Sequence, residues 1–300
     1  MNENAESPKI TERMLEEKQR ASMWRMTLDR VKRDPLALFG IAVFVLLLVG
    51  AILAPVLAPY NPKKIHWGHF YEAPSSTYLL GTDGLGRDVL SIIIYGSRVS
   101  LLVGLFSVLL LIIIAIVTGS LAGYFGGWVD EVFMRGVDVI LSIPSLILII
   151  LMVSVLQVRG LWVVVFAIGV TGWPSPARII RSQFLSLKSM PYTEAAKVMG
   201  ASHLRVIFKH ILPNAIGPII VIASFRLAGA ILTEAALSFL GLADPTVLSW
   251  GKLVSDGRGA LRYSWWISTF PGIAILVSVL GLNVLGDGLR RALDVRLRRD

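Results

Sequence analysis

Apolar runs alternate with short polar segments along most of this chain. A helix that crosses a bilayer needs about 20 apolar residues. Candidate spans cover residues 36–58, 99–122, 137–157, 160–177, 214–240 and 265–286. The pattern predicts an all-α integral membrane protein with six transmembrane helices. We expect Pro144, Pro218 and Pro271 to kink their helices, which a bundle tolerates because neighbouring helices satisfy the freed carbonyl groups.

Composition supports a membrane protein, since 55% of the residues are hydrophobic and only 16% are charged. The net charge is +9, and in membrane proteins such an excess lies on cytoplasmic loops beside anionic lipid. Lysine and arginine are scattered between apolar runs and form no basic domain, which argues against nucleic-acid binding. The chain has no cysteine, which excludes disulfides and thiolate metal sites.

The distribution of lysine and arginine predicts the orientation in the membrane. With the N-terminus inside, most of these residues fall on the cytoplasmic side, as the positive-inside rule requires. The predicted parts are a cytoplasmic tail at 1–35, the first span at 36–58, an extracytoplasmic loop at 59–98, a core at 99–290 with five helices and a cytoplasmic loop at 178–212, and a cytoplasmic tail at 291–300. Arg87 and Arg98 then lie outside, so we expect both to be paired or packed. Helical spacing over 10–34 predicts an amphipathic helix in the first tail.

The cytoplasmic loop contains the segment EAAKVMGASHLRVIFKHILPN at 194–214. Its first residues favour a helix, with Thr193 as the cap ahead of Glu194. Gly200 is suited to a left-handed turn, and Ser202 can start a second helix that Pro213 ends. The segment therefore predicts helix, turn and helix, and we call residues 194–210 the peg.

The two faces of the peg are expected to differ. Glu194 and the two alanines that follow it form a small, exposed face suited to a partner protein. On the other side we expect Leu204, Ile207 and Phe208 to pack back against the membrane domain.

The peg resembles the EAA loop of bacterial ABC-importer permeases, because Glu-Ala-Ala is followed by Gly200 and then by Leu212-Pro213. His210 stands where the family pattern has isoleucine. In that family the loop forms a coupling helix seated in a groove of the cytoplasmic ATPase. The resemblance implies ATPase contacts from Glu194, Ala195, Ala196, Gly200, Ala201, His203 and Arg205. A second Glu-Ala-Ala, at 234–236, lacks the glycine and the Leu-Pro and is not such a loop.

Further segments are similar to the C-type permeases of oligopeptide and dipeptide importers. They include LLGTDGLGRDVLS at 79–91, ALSFLGL at 236–242 and NVLGDGLRRALD at 283–294. The resemblance implies the type I ABC importer permease fold in a bacterial or archaeal cytoplasmic membrane. It also implies a second, related permease in a heterodimer, two cytoplasmic ABC ATPases and an extracytoplasmic substrate-binding protein. The outer loop at 242–249 departs from the Gln-Pro-Pro-type run usual in this group.

The chain has no phosphate-binding loop of its own, because Gly251-Lys252 is followed by Leu253. We expect no cofactor and no catalytic residue here, with ATP and Mg²⁺ bound by the partner ATPases. The predicted function is the permease subunit of an ATP-driven importer of di- or oligopeptides. Importers of nickel, glutathione or oligosaccharides share these motifs and stay open, as does an ATP-independent channel or scaffold. His66 and His69 in the outer loop are too few ligands to indicate a nickel site.

Arg226 and Glu234 are charges inside the fifth predicted helix, where a charge is costly and faces a polar cavity or a partner. Eight positions apart, they are offset by about 80° on a helix, so both could look toward a central pathway. They could line it for a polar substrate or form a gate, or they could make an ion pair between helices or subunits. Asp138, near the inner end of helix three, is expected to pair with Arg135 or with the partner subunit.

Overall fold

The computed structural model describes residues 31–158 and 160–293. Most of the predicted amphipathic segment at 10–34 and most of the C-terminal tail lie outside these residues. The described part of the chain is helical and contains no β-strand, and its isolated bridge joins Thr82 to Asp88. The prediction of an all-α protein is confirmed.

The described residues form ten helices of eight or more residues, which we number in chain order. They are α1 Pro35–Ile52, α2 Val89–Phe125, α3 Gly127–Leu141, α4 Ser145–Leu156, α5 Leu161–Gly172, α6 Pro174–Lys188, α7 Pro191–Val198, α8 Leu212–Phe239, α9 Trp250–Gly257 and α10 Trp266–Leu293. Shorter helical pieces are Ala54–Leu57, His203–Arg205, the π-helical Val206–Ile211 and the 3-10 turn Arg258–Ala260.

Four of the helices are long and apolar enough to cross a membrane: α1, α2, α8 with the pieces before it, and α10. Two further pairs meet the same test but are bent, α3 with α4 by 86° and α5 with α6 by 43°. Six spans result when each bent pair counts as one. The second span begins at Val89 rather than at residue 99, because the Asp88 carboxylate caps the helix and accepts the Ser91 N–H at 2.7 Å. Residues 89–98 of the predicted outer loop are therefore helical.

Proline accounts for the position of both bends. Pro144, the N-cap of α4, has an extended ψ of +124°. Pro174 opens α6, where it has no N–H to donate to the last turn of α5. Pro218 and Pro271 instead lie inside α8 and α10, which continue through them. The predicted third span at 137–157 is consequently the end of α3, a sharp turn and α4.

A close backbone contact joins the inner half of α2 to α6. A Cβ atom built on Gly119 would lie 2.6 Å from the carbonyl oxygen of Ala177, and one on Gly123 would lie 2.7 Å from that of Arg181. Only glycine permits such an approach of two backbones. Phe184 is fully buried beside this contact, so the inner ends of α2 and α6 form one packed unit.

The first and last helices meet at their inner ends. Asp34 caps α1 by accepting the Leu36 N–H at 3.0 Å, and its carboxylate accepts two hydrogen bonds from Arg291 at 2.9 and 2.7 Å. These hydrogen bonds hold the pKa of the Asp34 carboxyl below its ordinary value. The exposed face of α1 carries large apolar side chains such as Phe39, Leu46 and Ile52, as expected of a helix surrounded by lipid.

Candidate functional site

The peg begins in α7, which starts earlier than predicted. Its N-cap is Met190, and Thr193 is not the cap. The Thr193 hydroxyl donates instead to the Leu187 carbonyl at 2.9 Å, which joins α7 to the end of α6. Pro191 opens the helix because it has the fixed φ of a first helical residue and needs no partner for an N–H. The left-handed turn at Gly200 is confirmed, with φ +81°.

The second half of the peg differs from the prediction, because Pro213 does not end its helix. A short helix starts at His203, after Ser202, and continues through the π-helical piece into α8. The Leu212 N–H bonds to the Ile207 carbonyl, five residues back. This wider turn fits a proline that removes one backbone donor without breaking the helix. The peg is thus continuous with a spanning helix.

The packed face of the peg also differs in part. Ile207 is buried as predicted, together with Val206 and Ile211. Leu204 and Phe208 are 67% and 60% exposed, because residues four apart lie on the same side of a helix, here the side away from the core.

The tip of the peg is open to a partner. Of the residues predicted to contact an ATPase, the exposed ones are Glu194, Ala195, Gly200, His203 and Arg205, with Ala201 half-buried. Ala196 is only 8% exposed and its carbonyl accepts the Ala201 N–H, so it closes the turn. Val198 and Met199 are 89% and 85% exposed. Among the described residues the Glu194 side chain has no hydrogen-bond or ion-pair partner.

One contact at the base of the peg is absent from the sequence analysis. The Tyr124 hydroxyl, at the inner end of α2, lies 2.9 Å from Nδ1 of His203. The two residues are 79 positions apart, and no local pattern relates them. The AGYFGG run at 122–127 gives no indication of a partner for its tyrosine.

Ion pairs lie near this base. Arg181 binds Asp130 with two hydrogen bonds. Asp138 pairs with Arg178, which corrects the expectation of Arg135. Arg135 pairs with Glu131 instead, one turn away on the same helix. The bend at Pro174 carries Arg178 beside α3, a proximity that the sequence does not show.

The two charges in α8 have different surroundings. Glu234 is 2% exposed and accepts hydrogen bonds from the Ser238 hydroxyl at 2.6 Å and the Ser100 hydroxyl at 3.3 Å. Arg226 is half-buried and has no hydrogen-bond or ion-pair partner within the described chain. The structure therefore places Glu234 inside the helix packing, whereas Arg226 stays available to a partner.

The buried carboxylates and the two arginines of the outer loop have partners in the described chain. Asp83 accepts the backbone N–H groups of Leu85 and Arg87, each at 2.9 Å, and pairs with the Arg87 side chain at 2.6 Å. Arg98 donates to the Ile52 carbonyl at 3.0 Å. Both outer arginines are thus partnered, as predicted.

The two outer histidines do not share a site. Nδ1 of His66 lies 3.1 Å from the Gly86 carbonyl, and Nδ1 of His69 lies 2.9 Å from the Glu72 carboxylate. Across residues 31–158 and 160–293, no group of three or more metal-binding side chains is present.

A set of helices long and apolar enough to cross a membrane several times, with an exposed peg between two of them, defines a membrane subunit with a surface open to a partner. Two family models match the chain. Residues 115–299 match the binding-protein-dependent transport system inner membrane component. Residues 22–74 match the N-terminal transmembrane domain of oligopeptide transport permease C. The chain belongs to the family of binding-protein-dependent transport system inner membrane components.

Several similar proteins are named as permeases of transport systems. The oligopeptide transport system permease protein OppC of Bacillus subtilis (strain 168) is 40% identical over 283 residues, covering 94% of this chain and 92% of that protein. The glutathione transport system permease protein GsiD of Pectobacterium atrosepticum is 40% identical over 278 residues, covering 92% of each. The dipeptide transport system permease protein DppC of Alkalihalophilus pseudofirmus is 38% identical over 278 residues, covering 92% and 91%.

A solved structure shares the fold. It is a chain of the MetNI methionine ABC transporter in an inward-facing conformation, with a TM-score of 0.56 and 21% identity. The match covers 67% of this chain and 96% of that chain. The predicted type I importer permease fold is confirmed, and the chain is a transport subunit.

Proposed function

We propose that this chain is the permease subunit of an ATP-driven importer of di- or oligopeptides in the cytoplasmic membrane, with both termini in the cytoplasm. The named relatives at 38–40% identity support the substrate class, since peptides are what their names have in common. Glutathione is itself a small peptide, so the glutathione relative fits the same class.

The open tip of the peg carries the proposal. An exposed apolar surface beside an unpaired carboxylate is typical of a protein-binding site. In the complete transporter this chain pairs with a related permease in a heterodimer, and two ATPases bind below with ATP and Mg²⁺. ATP binding closes the ATPase dimer, the peg transmits the movement as a rigid body, and the pathway opens to receive peptide from a substrate-binding protein. Hydrolysis resets the complex.

The direct test is Glu194→Lys in the complete transporter, reconstituted in lipid vesicles. We expect the ATPase subunits to dissociate more readily, or ATP hydrolysis to lose its response to substrate-loaded binding protein. Glu131→Lys is the matched control, because it reverses a charge on the same side but away from the peg. If Glu194→Lys behaves like the control, the peg is a linker and the importer proposal fails. Peptide flux that persists without ATPase subunits would favour the channel alternative.

Of the two charges in α8, the proposal assigns only Arg226 to the pathway or to the interface with the second permease. A charge at the middle of a spanning helix cannot face lipid without a large cost, and this one has no hydrogen-bond or ion-pair partner among the described residues. Glu234 instead fixes the packing of α8 against α2. We expect Arg226→Gln to lower peptide uptake while ATPase binding stays normal. Uptake equal to wild type would remove Arg226 from the pathway.

The substrate class is tested by competition. Vesicles are loaded with ATP and offered a labelled dipeptide together with excess tetrapeptide, glutathione, oligosaccharide or Ni²⁺. Inhibition by peptides alone supports the proposal, and inhibition by sugar or by Ni²⁺ alone contradicts it.

A further inference from the structure

One side chain of α2 contacts all three segments that build the peg and its base. The Tyr124 hydroxyl lies 2.9 Å from Nδ1 of His203, and the ammonium nitrogens of Lys188 and Lys197 each lie 5.7 Å from the centre of its ring. Lys188 ends α6, Lys197 belongs to α7, and His203 starts the helix that continues into α8. Tyr124 itself is 4% exposed.

We propose that Tyr124 is the positioning residue that makes α2 follow the peg, so that a movement imposed on the peg also moves α2. The inference rests on the proposed function, because it requires an ATPase seated on the tip. α2 has 37 residues and is therefore about 55 Å long, enough to reach from the peg to the outer loop. A movement of the peg that is transmitted to the inner end of α2 therefore also moves the outer end of this helix.

The chemistry of the contact suits this role. Within the described part of the chain, it is the only hydrogen bond between α2 and the peg. A hydrogen bond is directional, whereas apolar contacts allow one surface to slide on another. In the Nε2–H tautomer of His203 the Tyr124 hydroxyl donates to Nδ1, and in the Nδ1–H tautomer the ring donates to the phenol oxygen, so either neutral form makes the bond. The two ammonium groups are attracted to the negative face of the ring and hold it in place.

The neighbouring contacts give α2 a firm base but do not replace Tyr124. Gly123 packs against Arg181 and Phe184 of α6, a helix that precedes the peg. The peg's second half is buried through Val206 and Ile207, which pack without polar contacts to α2. Removing the Tyr124 hydroxyl alone therefore removes the hydrogen bond between α2 and the peg and leaves their apolar packing in place.

The experiment is Tyr124→Phe in the complete transporter, reconstituted with its second permease, ATPases and binding protein. Transported dipeptide and hydrolysed ATP are measured in the same vesicles. We expect normal membrane levels and normal ATPase binding, and about a threefold to tenfold lower ratio of peptide to ATP, the effect of one lost hydrogen bond. Tyr192→Phe is the matched control, since this tyrosine lies on the exposed side of α7 without a hydrogen-bond partner in the described chain.

Further outcomes decide the inference. A ratio equal to that of the Tyr192→Phe control overturns it, and so does loss of the ATPases from Tyr124→Phe, which would make Tyr124 part of the docking surface.

In a double-mutant cycle, Tyr124→Phe added to His203→Ala should lower the ratio no further than His203→Ala alone. Additive losses contradict the proposal, because the two changes remove the same bond. If the wild-type complex itself takes up no peptide with ATP, the proposed function fails instead.

Discussion

The outer loop and the peg are both polar segments between apolar helices, yet their carboxylates have opposite surroundings. In the outer loop Asp83 and Asp88 are buried, and each accepts hydrogen bonds from its own neighbourhood. On the peg, Glu194 has no partner in the described chain, and Val198 and Met199 are almost fully exposed.

This difference between the outer loop and the peg indicates which residues support folding and which support transport. A segment that satisfies its own charges is stable without another protein. A segment that leaves a carboxylate unpaired beside exposed apolar side chains gains stability only when a partner covers it. We therefore expect changes in the packed regions to lower stability, and changes at the peg tip to lower transport while the protein still inserts into the membrane.

The largest effect is expected where the base of the peg is packed most tightly. Gly123→Ala places a methyl group 2.7 Å from the Arg181 carbonyl oxygen and from Cβ of Phe184. Such overpacking costs about 1–3 kcal/mol. We expect a lower thermal unfolding midpoint for the purified transporter and less protein in the membrane.

Gly136→Ala is the control for that change. A Cβ atom on Gly136, in the interior of α3, has no neighbour within 4 Å. Alanine is a better helix former than glycine by about 1 kcal/mol, so this variant should be at least as stable as wild type. If both variants lose stability alike, the contact between α2 and α6 is looser than the structure shows.

A smaller effect, confined to transport, is expected from strain at the tip. Gly200 and Gly68 both have positive φ, +81° and +88°, and a Cβ atom on either would meet nothing within 4 Å. A β-branched residue in this conformation costs roughly 1–2 kcal/mol. Gly200→Val should cut ATP-driven peptide uptake without preventing insertion, whereas Gly68→Val, in the outer loop, should leave uptake near wild type.

Equal uptake by these two variants would break the comparison between the loops. It would mean that backbone strain at a left-handed glycine lowers uptake at both positions or at neither, so that the peg and the outer loop respond alike. Both variants are compared in the same vesicles, with the amount of transporter set equal by immunoblot.

The sequence predicted the helical class, the spans and the turn at Gly200, because these depend on local patterns. Runs of apolar residues decide where a chain can cross a membrane, and a glycine before a second helix signals a left-handed turn. The sequence predicted a kink at Pro144, where the 86° bend lies, but not the 43° bend at Pro174, and α8 and α10 continue through Pro218 and Pro271.

Other features depend on residues far apart in the chain. The pairs Asp138–Arg178 and Tyr124–His203 form only after α3, α2 and the peg have packed together. Pro213 was misjudged because a π-helical turn absorbs its missing donor. The helical offset between Arg226 and Glu234 could not show that the two charges have different surroundings. The α2 serine that binds Glu234 lies 134 positions away in the chain.

The smallest expected effect concerns the ion pair between Asp34 and Arg291. Like the aspartates of the outer loop, Asp34 has a partner within the described chain. Arg291 holds the pKa of the Asp34 carboxyl below its ordinary value. A carboxyl with a lower pKa in the folded state adds stability above its unfolded pKa of about 3.9 and loses it as the pH falls through the folded value. The pair is exposed, so its contribution is small and weakened by salt.

Arg291→Gln should therefore lower the unfolding midpoint slightly at pH 7, and less so at 0.5 M salt. Below about pH 3.9 its deficit relative to wild type should shrink, because Asp34 then becomes protonated in both proteins. A deficit that stays constant from pH 7 down to pH 3 would show that Arg291 acts through packing rather than charge. In that case Asp34 supports α1 only as its cap, through Leu36 and Ala37, and Asp34→Asn should be nearly neutral because asparagine caps equally well.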